Sequence, residues 1–307
     1  MAIKAPMLKP GDTIGIVTLG SPLDAQTINS RIEVLMQMGF KVKLGKHVYA
    51  DNGFLASSAL NRASDLMQMF ADDEVTLILA TRGGVGVSDI LPYLDYAFIH
   101  DHPKIVSGFS DITALLQALY EYADLVCFNS LMLIDFRMTT PAYNFDQFFA
   151  ATSTLQAPRL IQNPPEIPPT QSWIPGNVTG PIVGGNLTSF VGLLGTPFDV
   201  DTRGKILFLE ETHEPVNTVY RYLSQLRLAG KFNDCIGIVM GECSNCEQAY
   251  GIDYGQLLYG FLMPLGKPLM THLASSHGYF KASIPIGAIV NLNTYTNTLT
   301  VLETTVE

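Results

Sequence analysis

The sequence predicts an α/β protein built on a mostly parallel sheet, followed by a second part that also holds strands and helices. Three observations carry this. In the first half, short apolar runs alternate with amphipathic helical stretches, and strand–helix–strand repeats imply right-handed crossovers between parallel strands. A proline-rich stretch then breaks the pattern near the middle of the chain. Finally, 47% of the 307 residues are hydrophobic and only 15% charged, enough apolar material for a sizeable core and too much for disorder. The length accommodates one large domain or two ordinary ones.

Residues 13–18 (TIGIVT) read as a buried strand. Asp24 is a good N-cap for a helix with Ile28, Ile32, Leu35 and Met36 at helical spacing, and Gly39 is its stop signal. Residues 41–44 form a second short strand, and a second helix is expected over 58–70, with Leu60, Met67 and Phe70 among its apolar positions. Residues 76–80 (TLILA) are a third strand ending at Arg82-Gly83-Gly84. Residues 104–107 (KIVS) are a fourth, ending at Gly108-Phe109-Ser110. The helix after it carries Ile112, Leu115, Leu116 and Leu119 on one face. In parallel sheets ligands bind beyond the carboxyl ends of the strands, where the glycine pair and Ser110 both fall.

Residues 156–180 contain Asn163-Pro164-Pro165-Glu166-Ile167-Pro168-Pro169 and Ile174-Pro175-Gly176. Proline at this density excludes helix and disfavours interior strand, so the stretch reads as a linker between a domain over 1–165 and another over 166–307. The second part shows strands near 206–209 and 236–240, helices near 218–229 and 254–262, and a hairpin around 293–297. No internal repeat or low-complexity tract interrupts it.

Acidic residues outnumber basic ones 28 to 18, a formal net charge of -10. That field repels nucleic acid and anionic lipid, so neither is an expected partner. A small anionic substrate needs a locally positive pocket. MAIKAPMLKPGD lacks the apolar segment of a secretory signal, and no apolar run approaches the roughly 18 residues of a membrane span, so a cytoplasmic location is expected. The four cysteines are too few and too scattered for a disulfide scaffold, which agrees.

Gly108-Phe109-Ser110-Asp111, between a strand and a helix, is the strongest local signal. A serine on such a tight turn projects its hydroxyl above the sheet, and N–H groups opening the helix point to where an oxyanion forms. The second glycine of G-x-S-x-G is missing, and an ordinary N-cap serine has the same local pattern. A nucleophilic serine needs a base and an orienting acid. Of the histidines His47, His100, His102, His213, His272 and His277, the last sits in a polar loop, Ser275-Ser276-His277-Gly278-Tyr279, suited to presenting an imidazole. Glu210 and Glu211 end the apolar run 206–209 and point to opposite faces, so only one of them can orient it, and periodicity does not choose between them.

Arg82-Gly83-Gly84-Val85-Gly86 lacks the ending of a phosphate loop and fits a flexible backbone that supplies an oxyanion N–H. Cys243-x-x-Cys246 is half a zinc site without the other half, so it reads as an ordinary loop; no metal and no cofactor are expected. Trp173, the only tryptophan, falls in the proline-rich stretch, where it can anchor the linker.

Several stretches, taken in order, resemble one family. Lys9-Pro10-Gly11-Asp12-Thr13-Ile14-Gly15-Ile16-Val17 is similar to its opening strand, and Arg62, Asp65 and Leu66 to its R-x-x-D-L element. Arg82-Gly83-Gly84 with Leu91-Pro92-Tyr93-Leu94-Asp95 resembles its glycine loop and following helix. Gly108-Phe109-Ser110-Asp111-Ile112-Thr113 resembles its nucleophile motif, and Gly184-Gly185-Asn186-Leu187 with Gly195-Thr196-Pro197 its passage into the second domain. Leu209-Glu210-Glu211 and His277-Gly278 complete the order Ser, Glu, His. The family is the LD-carboxypeptidases, which also includes the microcin C immunity peptidases.

The resemblance implies a flavodoxin-like, parallel-sheet N-terminal domain carrying the serine and a β-rich α/β C-terminal domain carrying glutamate and histidine. It implies a catalytic triad of Ser110, Glu210 and His277, with the first glutamate as the acid. The oxyanion donors are then the N–H groups of Gly84 and Asp111, and the Asp111 side chain is structural rather than catalytic. It further implies a homodimer and a muropeptide substrate, a murein tetrapeptide losing its terminal D-alanine during cell-wall recycling. Alternatives are an immunity peptidase acting on an aminoacyl-nucleotide toxin and a non-catalytic muropeptide-binding protein. Two positions depart from the family: Val85 stands where an aromatic residue is usual, and Asn129-Ser130-Leu131 where a Gly-Pro pair is frequent.

Overall fold

The computed structural model describes residues 2–307. Its first sheet begins with β1 (Thr13–Val17), buried along its whole length. Asp24 caps α1 (Ala25–Gln37) by accepting from the Thr27 N–H. β2 (Lys41–Leu44) follows, and Ser58 caps α2 (Ala59–Ala71) by accepting from the Asn61 N–H. Then come β3 (Val75–Ala80), α3 (Tyr96–Asp101), β4 (Ile105–Gly108), α4 (Thr113–Ala123) and β5 (Cys127–Asn129). α3, β5 and α5 (Ala142–Thr152) are the elements that apolar patterning did not single out here.

Along this sheet β2, β1, β3, β4 and β5 lie side by side and parallel. This is the 2-1-3-4-5 order of flavodoxin-like folds, which reverses between β1 and β3. The loops after those two strands, holding Ser21 and Gly83–Gly86, therefore flank the crevice where such sheets bind ligands.

The second sheet is assembled from β6 (Arg159–Ile161), β7 (Gln171–Ile174), β8 (Asn177–Asn186), β9 (Ile206–Thr212), β10 (Gly237–Ser244) and β11 (Leu269–Leu273). It is completed by β13 (Ile289–Asn293) and β14 (Thr298–Val301), which form the expected hairpin. The strand order is β6-β14-β13-β8-β9-β10-β11-β7, with β8 to β11 parallel and the flanking strands antiparallel. Helices α6 (Leu187–Val191), α7 (Val216–Leu228), α8 (Lys231–Asp234) and α9 (Tyr254–Leu262) connect these strands.

The proline-rich stretch differs from a bare linker. β6 and β7 both come from it, and they are the two edges of the second sheet. That is the position proline permits, because an edge strand can spare the N–H groups that proline lacks. The sheets also do not follow the 165/166 boundary strand for strand. β6 precedes it yet joins the second sheet, while β12 (Ile284–Ile286) returns to pair antiparallel with β5.

Helix α4 ties the two sheets together. Gln117, fully buried, donates from Nε2 to the Gly184 carbonyl (2.8 Å) and accepts from the Gly184 N–H (3.1 Å). One turn earlier the Thr113 hydroxyl accepts from the Asn186 N–H (3.0 Å). The approach is so close that a Cβ on Gly185 would lie 2.6 Å from Thr113 Oγ1, so this position requires glycine. Gln117→Met keeps the volume but strands a buried N–H and C=O. It should cost about 2–4 kcal/mol, read as a lower midpoint of urea unfolding.

Candidate active site

β4 ends at Gly108, where a Cβ would lie 2.7 Å from Ile112 Cγ2, so glycine lets the chain fold tightly back. Ser110 then takes φ +61°, in the left-handed region that costs a non-glycine residue on the order of 1 kcal/mol or more. A short 3-10 turn over Ser110–Ile112 leads into α4. The sequence pattern alone fits an ordinary capping serine, but a cap takes extended backbone angles, which Ser110 does not. This is the strained strand-to-helix elbow that lifts a side chain clear of the sheet.

The glycine loop packs directly on this elbow. A Cβ on Gly83 would lie 2.7 Å from Ser110 Cβ and 2.9 Å from the Asp111 nitrogen. The Gly83 carbonyl accepts from the Ser21 N–H (3.0 Å), and the Ser21 hydroxyl accepts from the Val85 N–H (3.2 Å). In a trans peptide the C=O and the following N–H point in opposite directions, so the Gly84 N–H faces away from Ser21. Among the described residues, neither the Gly84 nor the Asp111 N–H has an acceptor. Two free N–H groups of this kind can stabilise a developing oxyanion. Val85 is exposed at the rim of this loop.

The Asp111 side chain is engaged elsewhere. Its carboxylate accepts from the Val87 N–H (2.8 Å) and the Ser189 hydroxyl (3.1 Å), and burial raises its pKa. Arg62, almost completely buried, donates from Nη1 to the Leu19 and Gly86 carbonyls and from Nε to the Ser57 carbonyl. It thereby braces the far end of the glycine loop. Asp65, three residues on, accepts from the His47 N–H and ring nitrogen.

His277 lies in the loop after β11. Its Nδ1 sits 2.8 Å from Glu210 Oε2, and its ring meets Phe109, the residue before Ser110, edge-on at 5.0 Å. Of the six histidines only this one reaches Glu210. Glu210 is 1% exposed, and its second oxygen, Oε1, has no partner among the described residues. Glu211, on the opposite face of β9, takes a different set of contacts. Its carboxylate accepts from Asn186 Nδ2 (3.0 Å), the Thr188 N–H (2.9 Å), the Thr188 hydroxyl (2.6 Å) and the Thr212 N–H (2.8 Å). Burial raises its pKa. The choice that periodicity left open is thus divided by geometry: one glutamate faces the histidine and the other holds the start of α6.

Cys243 and Cys246 are joined in a disulfide, with Cα atoms 5.5 Å apart. This corrects their reading as an ordinary loop. β10 ends at Ser244, and the chain turns at Asn245 (φ +58°) between the two cysteines. Among the described residues no group of three His, Cys, Asp or Glu side chains is placed to hold a metal ion, and no helix is long and apolar enough to cross a membrane. Trp173, in β7, packs against Tyr259 and His272 (5.7 and 6.0 Å between ring centres), which anchors this edge of the second sheet.

A serine elbow, a histidine paired with a buried glutamate, and free N–H groups, on a flavodoxin-like sheet joined to a second α/β sheet, are the arrangement expected of a serine peptidase. The chain belongs to the LD-carboxypeptidase family: that family's N-terminal domain matches residues 14–130 and its C-terminal domain residues 179–292. It is 34% identical to a probable murein peptide carboxypeptidase of Bacillus subtilis, over 95% of this chain and 92% of the relative. The solved muramoyltetrapeptide carboxypeptidase of Oxalobacter formigenes superposes with a TM-score of 0.78 at 26% identity, covering 94% of this chain and 97% of that one. The fold is also that of the microcin C7 self-immunity protein MccF in complex with aspartyl sulfamoyl adenosine. That match has a TM-score of 0.92 at 24% identity, over 99% of this chain and 100% of the other.

Glu211→Gln keeps the shape of the side chain but turns one acceptor oxygen into a donor facing N–H and O–H groups. It should lower the thermal midpoint by several degrees in a calorimetric scan, on the order of 1–3 kcal/mol.

Proposed function

We propose that this chain is a serine carboxypeptidase that hydrolyses an L,D-peptide bond, releasing the terminal D-alanine of a murein tetrapeptide in cell-wall recycling. Ser110 is the nucleophile, His277 the general base and acid, and Glu210 the acid that orients the histidine. The N–H groups of Gly84 and Asp111 are the oxyanion donors. The observation that carries this reading is the 2.8 Å contact between His277 Nδ1 and Glu210, because it leaves the other ring nitrogen free for proton transfer. The substrate class is supported by the names of the B. subtilis and O. formigenes proteins.

Ser110 Oγ attacks the amide carbonyl carbon while His277 Nε2 takes its proton. The oxyanion gathers at the two N–H groups. The C–N bond then breaks and the amine leaves with the proton from His277, giving an acyl-enzyme. Water attacks the ester, His277 takes a proton from it, and Ser110 leaves as the restored hydroxyl. Glu210 holds the tautomer that keeps Nε2 unprotonated at rest and stabilises the imidazolium. With its second oxygen unpartnered, this carboxylate has His277 as its main compensating group. The reading includes a cytoplasmic homodimer, which sedimentation of the purified protein checks.

The decisive assay is incubation with murein tetrapeptide and, in parallel, an aminoacyl sulfamoyl adenosine, read by mass. Loss of one alanine from the tetrapeptide alone is expected; cleavage of only the nucleotide analogue would overturn the proposed substrate. Ser110→Ala should remain folded and lose at least about a thousandfold in kcat. Glu210→Gln should reduce turnover far more than Glu211→Gln, and the reverse order would reassign the acid. Turnover should persist in excess EDTA, because serine and imidazole supply nucleophile and base; loss on chelation with recovery on adding zinc would require a different chemistry.

A further inference from the structure

We infer that Arg137 binds the free carboxylate of the departing amino acid, at a subsite in the cleft beside His277; this rests on the carboxypeptidase reading above. A cleft of about 370 Å³ opens next to the imidazole. His277, Gly278 and Lys281 line it together with Asp135, Arg137 and Asn144.

The charges in this cleft are not equivalent. The Lys281 ammonium donates to the Ser276 carbonyl, lies 3.6 Å from Asp135 Oδ1 and sits 4.4 Å over the Phe109 ring. Asp135 also accepts from the Met132 N–H (2.9 Å). Lysine and aspartate thus compensate each other as part of the wall. Asn144 is spent on the neighbouring backbone, donating to the Tyr279 carbonyl (3.1 Å) and accepting from the Lys281 N–H (2.9 Å). Arg137 differs. Its Nε donates to the Ile134 carbonyl (3.0 Å), which holds one edge of the guanidinium, while Nη1 and Nη2 have no acceptor among the described residues. A planar pair of donors with one uncompensated positive charge matches a carboxylate. In a chain of net charge -10, it is also the local positive feature that an anionic substrate needs.

The position relative to His277 says which carboxylate. The imidazole returns its proton to the leaving nitrogen, so the departing residue lies against it. In a C-terminal residue the carboxylate carbon is two bonds from that nitrogen, so its partner must come from a surface adjoining the imidazole. Arg137 stands on that surface. A substrate that continued as a peptide would bring a neutral amide here instead. Arg137 therefore favours removal of a terminal residue over cleavage inside a chain.

The test compares wild-type protein and Arg137→Gln on an L,D-tetrapeptide with a free C-terminal carboxylate and on its C-terminal amide, by kcat/KM. The side chain is exposed, and circular dichroism verifies the fold of the variant. Wild type should prefer the free acid by about ten- to a hundredfold, the range of a charge-assisted pair. Arg137→Gln should lose most of that factor on the acid and little on the amide, and Arg137→Lys should recover part of it. Equal wild-type rates on acid and amide, or a preference that survives in Arg137→Gln, overturns the assignment alone. A wild-type protein that cleaves neither substrate overturns the carboxypeptidase reading and the assignment with it.

Discussion

The close approach of α4 to β8 is the constraint on which the rest of the arrangement depends. Ser110 opens the turn that leads into α4, and Glu210 lies on β9, the strand next to β8. The distance between elbow and acid is therefore set by how near α4 comes to β8. Thr113 and Gln117 fix it with three hydrogen bonds to the backbone of Gly184 and Asn186, and the missing Cβ at Gly185 allows it. A bond of this kind between a buried amide side chain and a backbone is worth more than its length suggests, because breaking it leaves two buried polar groups unpaired. The Gly-Gly-Asn run is thus part of the site's geometry without touching a substrate.

β9 shows how one strand serves two demands. Its side chains alternate between faces, so adjacent glutamates enter different surroundings. Four donors surround Glu211, and the Asn186 side chain that binds it also caps α6. Glu210 has a single ring nitrogen and one empty oxygen. A buried carboxylate that is fully satisfied makes a rigid joint, whereas one with a single partner depends strongly on that partner's charge. The two neighbouring positions thus separate architecture from electrostatics.

Much of this was legible in the sequence where local rules and tertiary structure agree. The cap at Asp24, the helix beginning near Ser58, the buried runs of β1 and β3, and the strand-to-helix turn at Ser110 follow from residue type and spacing. β6 and β7 were hidden by prolines, which forbid central strands but allow edges. β12 was hidden because three residues carry no periodicity, and its partner lies more than a hundred positions away. The Cys243–Cys246 bond depends on the tight left-handed turn at Asn245 between them, which the C-x-x-C spacing alone does not encode. Arg137 has no motif around it; its free donors emerge only once Lys281 and Asp135 are seen to neutralise each other. The choice between Glu210 and Glu211 rested on resemblance, since both faces of β9 are apolar.

The strand β12 has a consequence for biosynthesis. A chain emerging from the ribosome can lay down β1 to β5 early, since each new strand joins one already made. The outer edge of β5 then remains an open row of backbone donors and acceptors until Ile284–Ile286 arrives to cover it. His277 emerges only shortly before that strand. The nascent elbow is therefore displayed on an unfinished sheet for most of translation, without its imidazole. Closing the exposed edge and bringing His277 against Phe109 both wait for the last part of the chain, so until then the sheet can associate through that edge while the elbow stands alone.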